Sequence, residues 1–184
     1  MNLARLFEAL SYSAEKHRTQ HRKGVEASPY INHPIEVAHV LVEEGAVEDE
    51  TILVAALLHD TIEDTDATRE AVEEKFGKEV IDLVMEMTDD KGLEKQERKD
   101  LQVKHAPHLS HRAKMIKIAD KICNIRDILE RPPRDWTLKR KRDYLDWSRR
   151  VVEGCRGCND KLERCFDELY NKGKDCLAAP QEKG

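Results

Sequence analysis

Apolar residues recur every three to four positions along most of this chain, which is the spacing of one face of an α-helix. Leu3, Leu6, Phe7 and Leu10 set the pattern and predict a first amphipathic helix ending about Lys16. The polar stretch 19–30, with Gly24 and Pro29 as breakers, reads as a loop. Pro34 fits the first turn of a second helix with Asn32 or His33 near its N-cap, running through Val37, Val40 and Leu41 to near Gly45. A third helix over 48–58 is apolar almost all round, so it is expected at the centre. Thr65 and Asp66 are placed to cap a short helix over 67–76 that Gly77 ends, and 78–87 is periodic again.

The second half follows the same rule with stronger breaks. Segment 89–104 is dense in charge and reads either as a solvated helix or as a mobile flap. Pro107 and Ser110 precede a strong helix over 112–129, which Pro132-Pro133 ends. A last long pattern covers 136–169 with a break at 154–157. Residues 171–184 read as a flexible C-terminal tail behind one domain over 1–170. No repeat and no alternating strand pattern occurs, so the class is all-α.

Composition narrows the function classes. A chain of 184 residues buries a real core. The net charge of −5 argues against a general nucleic-acid surface. No apolar stretch approaches the roughly 20 residues of a membrane span. Arg5 and Glu8 interrupt the N-terminal apolar pattern, so no signal peptide is expected and the cytosol is the expected compartment. Five cysteines, an odd number, read as reduced thiols there. Cys155 and Cys158 form a C-x-x-C, but no second pair completes a zinc site, and the simple reading is thiols along one helix.

The candidate chemistry centres on AALLHDTIEDT, residues 55–65. His59 and Asp60 end an apolar segment, and Glu63 and Asp64 follow one turn on. Imidazole and carboxylate together suit a divalent metal. His33 sits at a helix start, where it either caps or turns inward. Asp120 lies beside the apolar stripe Met115, Ile118, Ala119 and Ile122, with Asn124 and Asp127 one and two turns on. A carboxylate there needs a partner, either a basic side chain or a metal. His33, His59, Asp60 and Asp120 together make an N2O2 set that suits Mn²⁺ and also admits Fe²⁺, Co²⁺, Ni²⁺ or Zn²⁺. Glu63 and Asp64 are spaced to reach a nucleophilic water, one to orient or deprotonate it and one to help protonate a leaving group. The loop HRTQHRKG, 17–24, adds cationic donors that could clamp phosphates, and Lys91, Lys95, Arg98 and Lys99 add charge from 89–104.

With these motifs assembled, the chain resembles the HD-domain hydrolases of the RelA/SpoT group, in the small stand-alone form. The matching stretches are KHRTQHRKG, SPYINHPIEVAHVL, AALLHDTIEDT, FGKEVIDLVMEMTDDK, KMIKIADKICNIRDI and YLDWSRRVVEG, in order over about 10–155. HD alone is a weak signal, whereas YINHP with LLHDTIEDT and IADKICNIRD is specific. The resemblance implies a bundle of about ten helices with one Mn²⁺ on His33, His59, Asp60 and Asp120, and Glu63 and Asp64 acting on the water. It implies removal of the 3′-pyrophosphate from guanosine tetra- or pentaphosphate, ppGpp or pppGpp. Stand-alone relatives that are NADPH 2′-phosphatases supply an alternative substrate. Arg22, Lys23 and Asn124 are implied as substrate contacts, with Lys95, Trp136, Arg140 and Tyr144 as further candidates for phosphate and base.

Cys123 departs from the aromatic or aliphatic residue expected at its position, and the cysteine-bearing segment beyond about 155 lies outside the resemblance. The chain ends without the synthetase and regulatory domains of the long RelA/SpoT enzymes, so degradation without synthesis is implied. A silent nucleotide-binding HD module is the alternative of another class. It predicts a lost ligand or a lost acid, and this chain has all four ligands and both acids.

Overall fold

The computed structural model describes residues 1–24 and 26–178. Among them are ten α-helices: α1 Leu3–Lys16, α2 Asn32–Glu43, α3 Glu50–Leu58, α4 Thr61–Asp64, α5 Arg69–Phe76, α6 Lys78–Met87, α7 Lys95–His105, α8 His111–Glu130, α9 Leu138–Cys155 and α10 Asp160–Cys176. A 3-10 turn, Ala106–His108, joins α7 to α8. The described residues hold no strand, only isolated bridges at His21–Pro29 and Gly24–Pro133. None of their helices is long and apolar enough to cross a membrane.

Two helices form the centre, and composition explains both. Every residue of α3 from Ile52 to Leu58 is buried, because its apolar side chains point in all directions. In α8, Met115 through Cys123 is buried without interruption, so this helix is enclosed rather than carrying a single apolar stripe. It packs against α2, α3, α6, α9 and α10. That enclosure draws Lys117, Asp120 and Lys121 inside with the apolar residues. Cys123 is one of those core side chains, and burial holds its thiol well above the usual cysteine range.

Several boundaries differ from the sequence expectation for identifiable reasons. Helix α5 starts at Arg69 behind Thr68, whose side chain accepts from Ala71 N. Thr65 sits too early to cap it: its hydroxyl donates to Thr61 O at 2.6 Å and accepts from Ala67 N at 3.0 Å, and Asp66 pairs with Lys16 at 2.8 Å. The charged segment 89–104 resolves into a loop and the docked helix α7, with Trp147 Nε1 donating to Lys99 O at 3.0 Å. Gly157, at φ +86°, separates α9 from α10, so Cys155 and Cys158 do not lie on one helix. All five cysteines are free.

The expected tail boundary at 170 also moves. Helix α10 continues to Cys176, with Gly173 pressed against Leu145 and Arg142 Nε donating to Leu177 O at 2.6 Å. The run NKGKDC has too little apolar periodicity to reveal this docking. Residues 179–184 of the expected tail lie outside the described residues.

Gly154 marks a close approach of α9 to the 3-10 turn. A Cβ there would stand 2.7 Å from Ala106 Cβ and 3.0 Å from Pro107 N. Gly154→Ala is therefore expected to destabilise the protein by about 1–3 kcal/mol through overpacking. A lower urea midpoint with an unchanged slope checks it.

Candidate metal centre and flanking cavities

The run LLHDTIEDT bends where its chemistry begins. Helix α3 ends at Leu58, His59 and Asp60 form the bend, and α4 is a single turn carrying Glu63 and Asp64. Thr61 Oγ1 donates to Leu58 O at 2.6 Å and holds that bend closed. The His59 Nδ1–H donates to Ala56 O at 2.7 Å, which leaves the Nε2 lone pair facing inward. Nε2 is buried, lies 3.2 Å from Asp60 Oδ2, and makes no well-directed hydrogen bond.

His33 arrives from the start of α2 and Asp120 from the middle of α8. His33 is buried, so it turns inward rather than capping its helix. One ligand atom from each of His33, His59 and Asp60 lies within 4.8 Å of the others. Asp120 reaches the edge of this group, with Oδ1 3.1 Å from His33 Nε2, but does not lie within that distance of all three. A buried imidazole nitrogen without a hydrogen-bond partner, beside a second imidazole and the Asp60 carboxylate, fits a divalent cation. Asp120 is also held by Asn124 Nδ2 at 2.6 Å and Lys121 Nζ at 3.0 Å.

Electrostatics follows from this crowding. Burial lowers the affinity of His59 for a proton, but the Asp60 carboxylate outweighs it and lifts the imidazole to about 9. Burial raises Asp60 and Asp120, yet neighbouring cations reverse the sign and hold both below the usual carboxylate range. For Asp60 the cation is His59, and for Asp120 it is Lys121 followed by His33.

The two acids are oriented from different sides. Glu63 accepts from Asp89 N at 3.0 Å and lies 3.5 Å from Arg98 Nη1. Burial, reinforced by repulsion from Asp89, Asp60 and Asp64, raises its carboxyl above the usual glutamate range. Asp64 is ion-paired with Lys91 and lies 3.3 Å from the Tyr30 hydroxyl. The loop before α7 and α7 itself thus close over both acids.

Three connected spaces meet here, and Tyr144 lines all of them. The metal compartment, about 210 Å³, holds the four candidate ligands with Glu63, Asp64 and Asn124 on its walls. A larger cavity of about 530 Å³ opens beside it, lined by Arg22, Lys23, Tyr30, Asp64, Asn124 and Trp136. Its Arg22 is held by Asp127 at 2.6 Å and by Asn124 Oδ1 at 2.9 Å. The third space, about 240 Å³, is lined by Lys23, Lys95, Arg98, Lys99, Arg140 and Trp136, among others. Among the described residues only Arg98 of those cations is ion-paired. Burial and then mutual repulsion lower Lys95 and Lys99. The Arg140 guanidinium sits 4.4 Å over the Trp136 ring.

A family model described as the HD domain matches residues 9–144, a span that contains every residue named in these three spaces except Trp147. The chain belongs to the HD-domain family. Relatives named guanosine-3′,5′-bis(diphosphate) 3′-pyrophosphohydrolase MESH1 are similar to this HD-domain chain along most of their length. The one from Homo sapiens is 49% identical over 169 residues, 92% of this chain and 94% of its own. The one from Xenopus tropicalis is 48% identical over 167 residues, 91% and 93% respectively. A solved structure, described as a metazoan ortholog of SpoT that hydrolyzes ppGpp, superposes with a TM-score of 0.89 at 49% identity, covering 92% of this chain and 95% of its own. An alignment of 169 residues cannot fit within the first 155 positions, so the likeness of this HD domain to its relatives runs into α10. That corrects the expected limit near 155.

Sequence reasoning missed part of the site. Tyr30, Asp89, Gln102, Lys117, Lys121 and Trp147 all line the metal compartment. The lysines left a local signal, as two charges four residues apart around Asp120, and Tyr30, Asp89 and Trp147 fall inside the quoted motifs without a role.

Proposed function

We propose that this chain is a divalent-metal-dependent phosphohydrolase of the cytosol. Its reaction removes the 3′-pyrophosphate of ppGpp or pppGpp and leaves GDP or GTP. The observation that carries the reading is the junction of a metal-ligand set, a nucleoside-sized cavity and a cluster of unpaired cations around Tyr144. The names of the MESH1 relatives support the same reaction.

His33, His59, Asp60 and Asp120 would hold the ion, with Mn²⁺ the best match to two imidazoles, two carboxylates and open positions. When bound, the ion supplies Lewis acidity toward a phosphoryl oxygen and lowers the pKa of a water. In the reaction, a water oxygen bonds to phosphorus, the bond from phosphorus to the ribose 3′ oxygen breaks, and that oxygen takes up a proton. Glu63 lines the metal compartment but not the nucleoside cavity, and its raised carboxyl accepts the proton the water gives up. Asp64 lines both spaces, so Asp64 and its partner Lys91 stand where the ribose oxygen leaves. Arg22, Lys23 and Trp136 seat the nucleoside. Lys95 and Arg140 hold outer phosphates, Tyr144 joins the spaces, and Asn124 orients Asp120.

NADPH 2′-phosphate removal would use the same ligands and acids. The unpaired cations favour a diphosphate over a monoester, because more anionic charge is there to meet them. A panel of ppGpp and NADPH at equal concentration with Mn²⁺ tests this. The expected result is GDP and pyrophosphate in excess over NADH and phosphate. NADPH turnover alone would overturn the substrate, and no turnover of either would overturn the hydrolase.

Metal binding should also depend on pH. With His59 raised to about 9 in the metal-free protein, an ion must displace its proton at any lower pH. Mn²⁺ affinity is thus expected to weaken as pH falls below about 9, with a proton released per ion. Calorimetry in buffers of different ionisation enthalpy reads that proton directly.

A further inference from the structure

Tyr30 stands in the wall between the nucleoside cavity and the metal compartment and lines both. Its ring is held from two sides. The His17 imidazole stacks on it at 4.8 Å with the planes 29° apart, and the Arg22 guanidinium lies 5.6 Å from its centre. The backbone fixes it further, since Tyr30 N donates to Gln20 O at 2.9 Å and Tyr30 O accepts from His33 N at 2.9 Å. His17 is itself tied to Gln20 at 2.7 Å, and Gln20 Nε2 donates to Asp64 O at 2.5 Å.

The hydroxyl of this anchored ring donates to Asp60 Oδ2 at 2.6 Å. That oxygen is the one turned toward both imidazoles, 3.2 Å from His59 Nε2 and 3.8 Å from His33 Nε2. A phenol has one proton to give, and the shorter contact takes it. Asp64 Oδ2 lies further off, at 3.3 Å, and the other Asp64 oxygen, Oδ1, pairs with Lys91. We propose that Tyr30 is a positioning residue for the metal-ligand set: its hydroxyl aims the Asp60 oxygen at the ion while its ring packs against the nucleoside. The inference rests on the metal reading proposed above. Partners of this kind, one step behind a ligand, fix its direction and tune its basicity.

Replacing the hydroxyl and the ring separately tests it. Tyr30→Phe keeps the ring, and is expected to weaken Mn²⁺ binding by about 10- to 100-fold in calorimetry. At saturating Mn²⁺ its KM for ppGpp should stay near wild type while kcat falls, because only the ion's ligand has lost its aim. Tyr30→Leu should lose the same metal affinity and raise KM as well. Melting of both metal-free variants separates a general loss of packing, which lowers Tm without changing affinity measured well below it. Wild-type Mn²⁺ affinity in Tyr30→Phe, or a KM raised as far as in Tyr30→Leu, would overturn the proposal. A wild-type protein that binds no Mn²⁺ would overturn the metal reading itself, and this proposal with it.

Discussion

Asp60→Ala is expected to abolish divalent-metal binding and to lower turnover of ppGpp by about a thousandfold or more, the several kcal/mol that a Lewis-acidic ion contributes to a phosphoryl transition state. The size of the effect follows from where Asp60 sits. Its Oδ2 faces both imidazoles and accepts from the Tyr30 hydroxyl, so one truncation strips three groups of their shared partner. The central helices should survive, since the apolar side chains of α3 from Ile52 to Leu58 and of α8 remain to pack them. Metal content by elemental analysis, measured beside steady-state kinetics, checks both halves. Wild-type turnover in this variant would mean the site is elsewhere.

Glu63→Gln should separate binding from chemistry. Glu63 lies outside the four-ligand set, so Mn²⁺ content is expected to stay at the wild-type level while kcat falls by about 10²- to 10⁴-fold, the range for loss of a general base. Gln keeps a carbonyl oxygen to accept from Asp89 N, which limits the disturbance of the loop before α7. The raised carboxyl of Glu63 has a consequence for pH. A base must be deprotonated to act, so the acid limb of the wild-type rate lies above the usual glutamate range. A variant that lost its metal along with its rate would place Glu63 among the ligands instead.

How much of this was legible depended on how local the signal was. The LLHDTIEDT run announced itself because four ionisable groups close an apolar helix, a combination that burial forbids without partners. The boundaries that moved did so through side chains with competing partners. Thr65 bridges Thr61 O and Ala67 N while Thr68 caps α5, and which of the two threonines caps the helix is invisible in the order of residues. Segment 89–104 stayed open between helix and flap because no apolar stripe marks it. Its docking depends on Trp147, 48 residues from the carbonyl it meets. Tyr30 was read as part of a motif and not as a working residue, since its hydroxyl finds Asp60 across a chain separation of 30.

By itself, the amino-acid order determined the helical class, the enclosed character of α3, and the six ionisable side chains on which the proposed chemistry rests. Those follow from periodicity and residue type, which are properties of neighbours in the chain. Only the tertiary structure decided that His33 turns inward, that Asp64 but not Glu63 also lines the larger cavity, and that unpaired cations gather on one side of Tyr144. The physical reason is distance along the chain. These groups come from the loop before α2 and from α2, α4, α7 and α9, and what each can do is set by charges and hydrogen-bond partners that packing, not sequence proximity, brings within a few ångströms.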